Sequence, residues 1–141
     1  MTLWRGIADF HQPWRITREI EDRKAGAKVS FEGKVMTEMV SGQLRWHETG
    51  QLRMPQGAFA SDRVTLWQDV EAGLAVHFDD GRLFHRIDRA VSPIATHDCD
   101  PDVYNLAYDF APWPRWSVTI TVSGPRKDYT SVTLYSPKEI G

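Results

Sequence analysis

The chain has 141 residues, a net charge of −2 and one cysteine. That length suits a single domain over 1–141 with a core of its own, and the near-neutral charge excludes a general electrostatic pull toward nucleic acid or an anionic membrane. Cys99 has no partner for an internal disulfide, and no apolar run approaches the roughly 20 residues that cross a bilayer as a helix. The N-terminal stretch lacks the apolar run and small-residue cleavage site of a secretory signal, so a cytoplasmic location is expected. Six tryptophans and ten glycines favour strands and tight turns over a helical bundle.

Residues 2–10 read as a short helix, with Thr2 as N-cap and Leu3, Ile7 and Phe10 on one side. Pro13 ends it. From Trp14 to Ile20 the chain alternates as a strand, which puts Arg18 on the same face as Trp14, Ile16 and Ile20. Lys24-Ala25-Gly26 is a turn. Val29, Phe31, Gly33 and Val35 form the next inward face, with Gly33 expected at a bend or bulge. After the Ser41-Gly42 turn, Leu44, Trp46 and Glu48 share a face, so a carboxylate stands where an apolar residue is expected. Thr49-Gly50 reads as a turn or a bulge, and Pro55-Gln56-Gly57 as a further turn. Between Phe59 and Val70 lies another strand, with Val64, Leu66, Gln68 and Val70 on one side.

The clearest local signal is Leu74–Ile87, two strands joined by Asp80-Gly81. A two-residue loop there opposes Phe78 to Leu83, Val76 to His85 and Leu74 to Ile87. One face then carries Leu74, Val76, Phe78, Leu83, His85 and Ile87, and His85 is its one polar member. His97-Asp98-Cys99-Asp100-Pro101-Asp102 reads as a loop, with Asp102 capping backbone N–H groups. Val103–Phe110 is a strand with Tyr104, Leu106, Tyr108 and Phe110 on one face, and Ala111–Pro114 is a rigid connector. Trp116, Val118, Ile120 and Val122 alternate with serine and threonine in the cleanest strand of the chain. A turn at Ser123–Asp128 leads to a last strand, Tyr129–Tyr135.

Eight to ten short strands in so small a chain curl rather than lie flat. The expected fold is therefore all-β: an up-and-down antiparallel β-barrel with a short N-terminal helix, in which consecutive strands pair and no edge is left. A two-sheet sandwich is the alternative. A barrel of this size has room for one small ligand.

Five segments together resemble an uncharacterised bacterial family, domain of unknown function 6314. They are Phe10-x-x-x-Trp14-x-Ile16-x-Arg18-x-Ile20, Trp46-x-Glu48-x-Gly50, Phe78-Asp79-Asp80-Gly81-Arg82-x-Phe84-His85, His97-x-Cys99-x-x-Asp102-x-Tyr104 and Gly124-Pro125-Arg126-Lys127-Asp128-Tyr129. That resemblance spans nearly the whole chain and implies no activity. The opening helix, Trp14 and Arg18 are also similar to the lipocalin and calycin superfamily, although Gln12-Pro13-Trp14 stands where that superfamily has Gly-x-Trp. The superfamily resemblance implies a small, mostly apolar molecule bound inside the barrel.

Arg18, Glu48 and His85 each fall on an expected apolar face. Charged groups are seldom buried without a partner, so two arrangements follow. Either the three meet in the lumen and orient a ligand's polar end, or Arg18 pairs with Glu48 or closes one barrel end under Trp14, and His85 is a satisfied core residue. His97 and Cys99, two apart on an extended segment, point the same way, and with His85 they would make a three-ligand zinc set, but the spacing matches no zinc signature. A Cys99–His97 nucleophilic pair lacks a readable oxyanion hole. Arg126 and Lys127 lie at a tight turn and would meet an anionic ligand group if that turn covers the mouth. Tyr104 and Tyr135 supply hydroxyls if they face inward.

The expected function is lipocalin-like binding of a small, mostly apolar or amphipathic molecule, with Arg18, Glu48, His85, His97, Tyr104 and Lys127 as its polar contacts. A barrel enzyme using His85 or His97 as general base or metal ligand is the rival, and a solid interaction module the third reading. No cofactor or metal is assigned. No phosphate-cradling glycine loop and no basic stripe is present, so a small-molecule partner is expected rather than nucleic acid or membrane.

Overall fold

The computed structural model describes residues 3–138. Among these the chain runs through ten strands: β1 (Trp14–Asp22), β2 (Ala27–Val40), β3 (Gln43–Met54), β4 (Gly57–Val70), β5 (Gly73–Phe78), β6 (Leu83–Asp88), β7 (Ile94–Cys99), β8 (Asp102–Asp109), β9 (Trp116–Ser123) and β10 (Asp128–Pro137). They form one antiparallel sheet in the order β6-β5-β4-β3-β2-β1-β10-β9-β8-β7. Apart from β6 and β7, each strand is bonded to its sequence neighbours, and β10 returns to β1 along its full length, from Trp14 opposite Pro137 to Asp22 opposite Tyr129. The end strands β6 and β7 lie beside each other without a ladder between them. The fold is thus the expected all-β up-and-down barrel, nearly closed, with a single seam.

The N-terminal helix is reduced to one 3₁₀ turn, Ile7–Phe10; the Thr2 cap lies outside the described residues. The donor ahead of that turn is met from elsewhere. Asp69 of β4 accepts the Ile7 N–H at 2.9 Å, and the same carboxylate fills the space a side chain on Gly6 would need. Docking to the barrel, rather than helical propensity, shapes this segment.

At the hairpin of β5 and β6 the expected register holds at the base: Leu74 faces Ile87 and Val76 faces His85. It fails at the tip. The register shifts between Val76 and His77, so His77 faces Leu83. Asp80 accepts hydrogen bonds from both the backbone N–H (3.0 Å) and Nε (2.7 Å) of Arg82. This local bonding by an aspartate side chain replaces the two-residue turn with a wider loop over 79–82. As a result Leu83 swings out, 46 % exposed, and Phe84 turns in, 8 % exposed and stacked on Phe78 at 4.7 Å.

Three further expectations are corrected. Thr49-Gly50 is neither turn nor bulge but the middle of β3, opposite Lys34 and Gly33 with no break in register. The two glycines permit a close approach of β2 to β3: a Cβ on Gly33 or Gly50 would lie 2.1 Å from the facing carbonyl oxygen. His97–Cys99 belongs to β7, paired with Asp102–Tyr104, and only Asp100-Pro101 turns. On β4 the buried face is that of Thr65 and Trp67, not that of Val64 and Leu66.

One end of the barrel is filled by aromatic rings. Phe10 lies at the centre, its ring centroid 5.3 Å from Trp67, 5.1 Å from Trp113 and 5.5 Å from Trp116, mostly in tilted or edge-on contact. Trp14 seals the same end and donates its indole N–H to the Phe10 carbonyl at 3.0 Å. Further along the strands the inward residues become small: Thr65, Val76, Val118, Ser131 and Thr133. Rings fill the barrel where they are present. Where they give way to these side chains, space remains.

Candidate functional site

That space is a cavity of about 170 Å³. Trp46, Trp67, Phe84, Tyr108, Trp116 and Tyr135 supply much of its apolar wall. Several of these rings are paired face to face: Trp46 on Trp67 at 4.3 Å and Trp116 on Tyr135 at 3.9 Å. The interior is therefore not packed solid, and aromatic rings make up much of its wall.

The polar wall is built around Glu48, which is 3 % exposed. Its Oε1 accepts from Arg18 Nη2 at 2.8 Å. Its Oε2 accepts from Trp46 Nε1 at 3.1 Å, from the Tyr135 hydroxyl at 3.0 Å and from Arg63 Nη2 at 3.4 Å. Burial alone would push this carboxyl up. The guanidiniums of Arg63 and Arg18 outweigh burial and hold it down at about 2. Arg18 is fixed in turn by Nε donation to Thr133 at 2.7 Å and by the Phe31 ring, 5.2 Å from its guanidinium carbon. Of the arrangements expected for Arg18 and Glu48, the pairing is present, and both residues line the lumen.

His85 also lines the cavity. Its Nε2 shares a 2.8 Å hydrogen bond with the Tyr108 hydroxyl, while Nδ1 is buried without a partner among the described residues. Burial, with Arg63 and His97 adding repulsion, lowers its pKa to about 3, so the ring is neutral near pH 7. His85 is bonded neither to His97 nor to a carboxylate. Tyr104 stands nearer the open end, where Lys127 Nζ donates to its hydroxyl at 3.1 Å and lies 3.6 Å from Asp102. Asp102 does not cap backbone amides as expected. Its carboxylate packs against Gly124, where any Cβ would collide with it. His97 lies outside the cavity lining and packs edge-on against Phe84 at 5.3 Å and Phe78 at 5.6 Å. It borders a groove along the seam, which shares Phe84 and His85 with the lumen. Cys99 is exposed, and among the described residues no three His, Cys, Asp or Glu side chains gather as a metal set.

Sequence reasoning missed Arg63. It lines the lumen because it shares a face with Thr65 and Trp67. Trp67 was the available signal: counting back by two from that indole reaches Arg63. Beyond Arg63, a second chamber of about 270 Å³ continues toward the open end, bounded by Phe31 and Leu52 and sharing Arg18, Ile20, Glu48 and Arg63 with the first.

Residues 10–137 match a family described as a family of unknown function (DUF6314). No curated protein matches the chain. Among solved structures, the S-type phycobiliprotein lyase CPES from Guillardia theta is similar with a TM-score of 0.69, at 10 % identity, over 97 % of this chain and 95 % of that one. At that identity the likeness is one of fold.

Proposed function

The chain belongs to the family of unknown function DUF6314, and from that premise we propose that it is a binding protein for a small amphipathic molecule held inside the barrel. The observation that carries this reading is the cavity itself: about 170 Å³ enclosed by stacked aromatic rings, with an ion cluster on one wall. An apolar cavity of about 150 Å³ accepts a benzene-sized guest, whereas drug-sized ligands occupy about 300–1,000 Å³. The inner chamber therefore suits one or two rings, and the remainder of the ligand extends toward the mouth. Arg18, Glu48, His85 and Tyr104 are its polar contacts, with Lys127 and His97 supporting Tyr104 and Phe84. Two buried polar atoms in the wall, His85 Nδ1 and Trp116 Nε1, lack partners among the described residues. Each such atom costs about 1–3 kcal/mol, which a polar ligand atom would relieve after a small ring rotation. A barrel of this fold also occurs in a protein named as a phycobiliprotein lyase.

Filling the cavity tests this. Ser131 is buried on the wall between the ion cluster and Tyr129, and Ser131→Phe places a ring in the space. In a titration with naphthalene followed by tryptophan fluorescence, the parent binds one equivalent and the filled variant binds at least tenfold more weakly. Equal affinity in the two proteins would contradict a lumen site.

A further inference from the structure

Resting on the lumen reading, we infer that the ligand is a planar aromatic carboxylate whose acid group is taken by Arg63 at the boundary of the two chambers. The ion cluster has two guanidiniums and one carboxylate, and they are unequally engaged. Arg18 is 15 % exposed and forms the short 2.8 Å bond to Glu48. Arg63 is 51 % exposed and makes only the longest contact, 3.4 Å, to an oxygen already bonded to Trp46 and Tyr135. A guanidinium presents five N–H donors, and among the described residues Arg63 uses one.

Among the described residues Glu48, already paired with Arg18, is the one acidic group within 4 Å of Arg63. Asp62, next along β4, also borders the outer chamber, but its Oδ2 lies 3.1 Å from His47. Asp102 is drawn to Lys127 at the rim. Arg63 thus adds one uncompensated positive charge where the inner and outer chambers meet.

The shape of the site narrows the ligand. An aromatic wall that includes Trp46, Trp67, Trp116 and Tyr135 favours aromatic rings, which pack on it edge-on or stacked. A carboxylate is the planar anion that a guanidinium fork grips with two parallel hydrogen bonds. Rings in the inner chamber and an acid group at its threshold satisfy both features with one molecule. Apolar substituents would pass outward between Phe31 and Leu52.

Calorimetric titration at pH 7.5 with naphthalene-2-carboxylate and its neutral isostere naphthalene-2-carboxamide tests the assignment. The carboxylate binds at least tenfold more tightly to the parent. In Arg63→Gln the ratio of the two dissociation constants falls to about one, and in Arg63→Lys, which keeps the charge but not the fork, part of the preference returns. Equal affinities in the parent would overturn the acid-group assignment and leave the lumen reading standing. A tenfold preference that survives Arg63→Gln would also overturn it. Failure of both compounds to bind would overturn the lumen reading and this one together.

Discussion

Glu48 organises its surroundings because a buried carboxylate is tolerated only when its charge is met. Four donors on two oxygens meet it, and its proton affinity is lowered to about 2 in consequence. His85 is the opposite case, a ring kept neutral by burial, with the Arg63 guanidinium facing it and Tyr108 as its hydrogen-bond partner. Both shifts are downward, so both contribute stability at neutral pH that is lost in acid. For His85 the contribution is complete above its ordinary 6.5 and declines as pH falls toward about 3; for Glu48 it declines between 4.5 and about 2. Each pH unit within such a window is worth about 1.4 kcal/mol per group. Urea unfolding of the parent at stepped pH should therefore lose about 2–3 kcal/mol between pH 6.5 and 4.5 from His85 alone. His85→Gln, which keeps a partner for the Tyr108 hydroxyl, should flatten that interval, and an unchanged slope would remove His85 as its cause. Arg18, Glu48 and His85 were legible from sequence because each interrupts an otherwise apolar alternating face. Arg63 was not, because the aliphatic side of β4, Val64 and Leu66, looks more buried than the side that carries its tryptophan. In a small barrel the outer face keeps aliphatic residues, and the largest ring marks the inside better than the number of aliphatics.

Among the elements, β2 and β3 form one of the longest ladders, and their approach depends on Gly33 and Gly50. A Cβ on Gly50 would meet the Glu32 carbonyl oxygen at 2.1 Å and the Phe31 ring at 2.8 Å. Backbone on one side and a packed ring on the other leave little room to relax. Gly50→Ala should destabilise by about 3 kcal/mol or more, at or beyond the upper end of overpacking costs, measured as a lower urea midpoint with an unchanged slope. Loss of less than about 0.5 kcal/mol would mean that the strands part easily. Strand number and order were readable because alternation and turn residues agree along most of the chain. Tips were less readable. At Asp79–Arg82 side-chain bonding by Asp80 outcompetes the two-residue turn, and at His97–Cys99 a run of polar residues resembles a loop although it pairs fully with β8. Strand pairing at a barrel rim needs backbone hydrogen bonds and little apolar burial, so composition there carries less information.

The whole molecule divides its interior in two. At one end the turn at Ile7–Phe10 brings in Phe10, which meets tryptophans from β1, β3, β4 and β9 and closes the barrel. Toward the other end the inward side chains shrink, and an aromatic chamber with an ion cluster on its wall opens toward solvent through a second chamber. The closed end supplies rigidity, and the chamber supplies the site. The six indole N–H groups report on both regions at once: Trp46, Trp67 and Trp116 line the chamber, whereas Trp4, Trp14 and Trp113 belong to the closed end or its approach. The most direct measurement is a two-dimensional proton–nitrogen spectrum of these indoles during titration with naphthalene-2-carboxylate. If the lumen is the binding site, the Trp46, Trp67 and Trp116 signals shift in step with saturation while those of Trp4 and Trp113 stay in place. Shifts confined to Trp4, Trp14 or Trp113, or no shift at saturating ligand, would contradict it.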